Sequence, residues 1–211
     1  MEELVFSSED PLRGLNQLEH PIFDAHFHVW DPAIIGHYTY VARGYGLGGF
    51  LPIADPGTRD RISEFFPSQT TRFAYYLPSR AFAHYRVSEL LDSLDEAQKN
   101  NYKCVKCWFG PRFLDWAQAG QFHLDSPRLS PIWVKIEEMG FSAVDIHVGD
   151  PDIWYAREYR NSRKYGTKKE ALGQFTNILG EYPSIRFIGV HMAGHPEHLA
   201  TLSDTLIDFP N

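Results

Sequence analysis

Two histidines separated by one residue, His26 and His28, close the run Phe23-Asp24-Ala25-His26-Phe27-His28-Val29. In an extended strand alternate side chains share a face. The two imidazoles therefore point one way, and Phe23, Ala25, Phe27 and Val29 the other. Imidazoles set side by side are half of a metal site by chemistry, suited to Zn, Mn, Fe or Co. A polar strand end with two solvated histidines is the competing reading of this pair taken alone. The alternation recurs in residues 141–148, where Val144, Ile146 and Val148 share one face and Ala143, Asp145 and His147 the other. It recurs again in residues 186–191, which end on His191. Three apolar runs thus finish in histidine.

The elements that must position these residues follow from periodicity. Apolar runs predict strands over 22–29, 72–77, 103–109, 141–148 and 186–192, with a short one over 49–53. Amphipathic spacing predicts helices over 87–100, 130–139, 168–181 and from Pro196 to about Ile207, the second opening on Pro131. Strands alternating with helices imply βαβ units and a parallel sheet. In such a sheet the groups that bind and react gather at the C-terminal strand ends, where all three histidine-bearing runs finish. Residues 32–69, rich in Gly, Pro and aromatics, read as an irregular loop region. Gly44-Tyr45-Gly46-Leu47-Gly48-Gly49 lacks the Lys-Ser or Lys-Thr and the helix start of a phosphate loop.

Composition bounds the function. The 211 residues are 43% hydrophobic, enough for a sizeable core in one domain or two. A formal net charge of -7 argues against nucleic acid or an anionic membrane surface as partner. No apolar run is long enough to span a bilayer and residues 1–10 have no signal-peptide core, so the expected location is the cytoplasm. Cys104 and Cys107 form a Cys-x-x-Cys, but a spacing of three along a strand sends the sulfurs to opposite faces. They read as unrelated thiols. No Gly-x-Ser-x-Gly elbow is present for serine chemistry.

The chain resembles the amidohydrolase superfamily, in its amidohydrolase-related branch of lactonases, other metal-dependent hydrolases and decarboxylases. The matching residues are Phe23-Asp24-Ala25-His26-Phe27-His28, then Ile146-His147-Val148-Gly149-Asp150-Pro151. Further on, Phe187-Ile188-Gly189-Val190-His191-Met192-Ala193-Gly194 is followed by Pro196-Glu197. Asp125-Ser126-Pro127-Arg128-Leu129 with Pro131-Ile132-Trp133 also resembles the family.

The resemblance implies a (β/α)8 TIM-barrel-like hydrolase fold over residues 21–211, behind an N-terminal extension at 1–20. It implies one divalent metal ion, zinc by preference, held by His26, His28 and His147, with His191 as catalytic base or polarising group. The substrate is expected to be a small molecule, possibly anionic, with Lys106, Arg112 and Asp150 as binding residues. Lys106 also matches in position a lysine that two-metal relatives use as a carboxylated bridge. Asp24 and Asp145 are expected to point inward and orient their neighbours, and His195 and His198 to lie exposed. The implied reaction is hydrolysis of a C–N, ester or lactone bond. Non-oxidative decarboxylation and a non-catalytic remnant stay open as alternatives.

The family's strand-eight aspartate has no match in this sequence, and a full barrel takes about 250 residues. The expectation is therefore an incomplete barrel of about six βα units, truncated at the C-terminus. Its open edges would favour a homo-oligomer.

Overall fold

The structure is a computed structural model that describes residues 22–29, 31–44, 46–66, 68–117 and 122–210. The expected extension at 1–20 lies outside the described residues. The chain divides into two units, residues 1–73 and 74–211. Both are α/β, and every strand pair within them is parallel.

In the first unit β1 (Ile22–His28) is followed by α1 (Ile35–Gly44), β2 (Leu47–Ile53) and α2 (Pro56–Ile62). β1 pairs with β2. Phe27 and Val29 turn into an apolar cluster with Ile35, Ala42, Phe50, Ile62 and Phe66. The two helices correct the reading of 32–69 as irregular. In α1 the buried positions are Ile35, Thr39 and Ala42, a helical spacing that the polar Thr39 disguises. Its hydroxyl is satisfied by donating to Ile35 O at 3.0 Å. α2 opens on a capping pair, with Asp55 Oδ1 accepting from Thr58 N at 2.9 Å and Pro56 in the first turn.

In the second unit β3 (Ala74–Tyr76), β4 (Cys104–Phe109), β5 (Ala143–Val148) and β6 (Phe187–Gly189) pair in sequence order. Between β3 and β4 lie α3 (Ser79–Ala83) and α4 (Val87–Lys99), which buries Leu90, Leu94 and Ala97. α5 (Ser130–Met139) joins β4 to β5, burying Ile132, Trp133 and Ile136 and ending on Gly140 at φ 65°. That left-handed cap suits glycine, which has no Cβ to clash. α6 (Asp152–Ala156), α7 (Ser162–Tyr165) and α8 (Lys168–Glu181) lead to β6. Thr167 and Glu170 cap α8 reciprocally, and Phe175, Ile178 and Leu179 form its buried stripe. A last helix spans Leu199–Asp208, starting later than the expected Pro196.

The expected last strand shrinks to three residues. From His191 to Gly194 four consecutive residues have positive φ, at 52°, 58°, 49° and 78°. The chain therefore leaves β6 in a left-handed turn, with His191 in that turn instead of on the strand. Gly194 N donates to His191 O at 3.2 Å and His195 N to Met192 O at 2.9 Å. His195 is buried, against the expectation of exposure. His198 is half-exposed and pairs with Asp152, which also pairs with Lys168.

Cys104 and Cys107 are buried and form no disulfide. Burial pushes the Cys107 thiol up to about 12. A thiol reacts as its thiolate, and below that value Cys107 stays protonated. The folded protein is expected to leave Cys107 unmodified by a disulfide reagent at pH 8, with reaction appearing only in denaturant. Rapid labelling of Cys107 in buffer alone would contradict its placement.

Candidate functional site

The first unit supplies the His26 and His28 pair. Their rings lie edge to face with centroids 5.0 Å apart, so both imidazoles share one side of β1, as strand parity requires. The alternation does not extend back to Asp24. From Asp24 to Phe27 is three steps along β1, while the paired stretch Phe50 to Pro52 is two, so β1 carries a bulge there.

Asp24 accepts a hydrogen bond from His26 N at 3.2 Å and a short one from the Tyr38 hydroxyl. Tyr38 also stacks on Phe27 at 4.6 Å. Burial, followed by the Asp24 carboxylate, raises the Tyr38 hydroxyl pKa, so it remains a donor. Asp24 thus fixes the backbone and the α1 contact beside the histidines. No sequence signal marked Tyr38 as its partner.

The second unit brings together His147, Asp150 and His191. In the β4–β5 register Lys106 stands opposite Asp145 and Trp108 opposite His147. This makes two layers on one face of the strands. In the deeper layer Lys106 Nζ donates to Asp145 Oδ1 at 2.7 Å, and both side chains are fully buried. Burial lowers the lysine pKa, and Asp145 opposes that shift. Of the expected roles for Asp145, the structure therefore gives it a lysine partner, and it places Lys106 beneath the strand-end layer.

In the outer layer the Trp108 and His147 rings meet edge to face at 6.3 Å. Trp116 follows at 5.7 Å from Trp108, with the Arg80 guanidinium 5.4 Å from the Trp116 ring. Trp108 has the parity of Lys106 and two fewer residues to the strand end; that signal was in the sequence unused.

Asp150 sits in the loop after β5, where Gly149 at φ 72° lets the chain turn. Its Oδ1 lies 2.9 Å from His147 Nε2. The carboxylate fixes the ring plane and leaves Nδ1 as the ring nitrogen that Asp150 does not engage. Asp150 also faces two phenols. Tyr159 is pushed up to about 12 by burial and then by the Asp150 charge, and Tyr155 is raised for the same two reasons in the same order.

The left-handed turn after β6 sets the His191 ring edge-on to His147, centroids 4.9 Å apart. Arg112 is exposed at the start of the 3-10 turn Pro111–Asp115 after β4. A carboxylate, two imidazoles and an indole around one strand end can orient a small molecule and move a proton.

The donor types suit a divalent ion, with two imidazoles on β1 and two at the ends of β5 and β6. Among the described residues, no group of three or more His, Cys, Asp or Glu side chains is gathered as a bound metal would need. No described helix is long and apolar enough to cross a membrane. No family model matches the chain, and neither the curated proteins nor the solved structures give a match.

Proposed function

We propose that the chain is a metal-dependent hydrolase acting on a C–N, ester or lactone bond of a small substrate. The observation that carries this reading is the strand-end group of the second unit: His147 held by Asp150 and faced by His191. His26, His28 and His147 would hold the ion. When bound, a divalent ion polarises a carbonyl and lowers the pKa of water from about 15.7 toward 7.

The chain's own residues do the rest. Asp150 holds the His147 ring in one orientation, so that Nδ1 meets the ligand. His191, exposed on its turn, accepts the proton released in the addition step and returns it to the leaving group. Trp108 walls one side of His147 and keeps water from it. Arg112 offers a cation to an anionic substrate.

After exhaustive dialysis the parent protein is expected to retain about one divalent ion per chain, and His26→Ala and His147→Ala to lose most of it. Elemental analysis of all three decides this, and equal metal content would overturn the assignment. On a panel of lactones, amides and carboxylic acids, ring or amide opening supports hydrolysis. Release of CO2 instead would make the protein a decarboxylase.

A further inference from the structure

We propose that the second unit carries a separate binding cavity for a small neutral aromatic molecule of the phenol class, behind the strand face that bears His147. Phe109 and Val148 have the opposite parity to Trp108 and His147 on the paired strands, and both line a cavity of about 280 Å³. Phe113 and Phe122 complete an aromatic wall, with Phe113 4.5 Å from Phe122 and 5.3 Å from Phe109 between centroids. Ala171 of α8 and Tyr155 form the opposite side. A largely apolar cavity of this size with a few polar groups has the character of a small-molecule site.

The walls are held in place. The Tyr85 hydroxyl accepts from His123 N at 2.7 Å, and Leu124 N donates to Gln174 Oε1 at 2.8 Å. The segment carrying Phe122 is thus tied from two directions, one of them α8. A wall fixed by hydrogen bonds has less freedom to collapse onto the space beside it.

Ligand class follows from size and polarity. About 150 Å³ of apolar space accommodates a benzene ring, so this cavity takes one ring with a substituent. Two charged residues at the rim are already engaged, Lys164 by Asp115 and Glu170 by Thr167. They do not call for a countercharge. Inside, the buried hydroxyl of Tyr155 is the polar group, and burial keeps it protonated as a donor. A ring hydroxyl is its complement, whereas a carboxylate would be desolvated beside the Asp150 charge that Tyr155 already feels.

Calorimetric titration of the 211-residue protein with phenol, cyclohexanol and benzoate tests this independently of any catalytic activity. Phenol is expected to bind once per chain, more tightly than either of the others. Ala171→Phe fills the space and is expected to weaken phenol binding by at least about tenfold, with the fold checked by circular dichroism. Tyr155→Phe removes the donor and is expected to weaken it by about fivefold. No heat of binding with phenol at about 10 mM would overturn the proposal, since even weak fragments bind by then. So would benzoate binding more tightly than phenol, or Ala171→Phe binding phenol like the parent.

Discussion

Lys106→Met should destabilise the second unit by about 3–5 kcal/mol, because it strands a buried carboxylate. Lys106 and Asp145 are both fully buried and 2.7 Å apart on neighbouring strands, so neither can turn to water when its partner is removed. Asp145→Leu should cost a similar amount by stranding the ammonium. Coulomb attraction in a low-dielectric interior and the desolvation of two ions are both large and opposed. The net value of an intact buried pair is therefore small, while the cost of half a pair is not.

This asymmetry makes the double variant informative. Lys106→Met with Asp145→Leu replaces the pair by apolar groups and should return to within about 1–2 kcal/mol of the parent. Urea unfolding followed by circular dichroism reads all four proteins. Additive losses near 8 kcal/mol in the double variant would mean that the two side chains act separately, and the deeper layer described here would be wrong. The pair also lies directly beneath His147. A double variant that is stable yet has lost metal or substrate binding would show that the layer positions the site as well as supporting the strands.

The legible part of this molecule is the part written in periodicity. Helices α5 and α8 fall on the residues expected, since Ile132, Trp133 and Ile136, or Phe175, Ile178 and Leu179, repeat at helical spacing behind a proline or a capping box. β4 and β5 differ from expectation by one or two residues at their starts. Parity correctly set His26 beside His28 and Asp145 on the face of His147. It failed at Asp24, because a bulge adds one residue and parity counting assumes none. The α1 helix was hidden because its core stripe runs through Thr39, a residue that counts as polar until its hydroxyl is seen bonded to the preceding turn.

The same limit applies to the site. Which histidines sit at strand ends is a one-dimensional fact. That Asp150 closes onto His147 depends on a loop conformation, and that Lys106 meets Asp145 depends on strand register. Sequence offered several partners for each of these charges, and only the three-dimensional pairing chooses. His191 is the sharpest case, because apolar residues up to Val190 read as a continuing strand while the chain has already turned left-handed.

That turn carries the second large effect. Gly194→Ala should lower stability by about 2–4 kcal/mol and, for a chain of this size, the melting temperature by roughly 4–16 °C. Two costs combine. Gly194 has φ 78°, where an L side chain costs about 1–2 kcal/mol. A Cβ there would also lie 2.4 Å from Val148 O and 3.1 Å from Leu172 Cδ2. The carbonyl is backbone of β5, one residue past His147, and cannot swing aside as a flexible side chain would.

Relief must come from the turn moving off β5, which takes His191 with it. The imidazole resonances of both His147 and His191 should shift in the variant, since their rings now stand 4.9 Å apart. Ala193→Gly is the control: Ala193 holds φ 49°, so glycine there removes left-handed strain and should leave the melting temperature level or raise it. If Gly194→Ala melts with the parent and its histidine signals do not move, the turn is not packed against β5, and His191 loses the support that makes it the proton-transfer group of the proposed reaction.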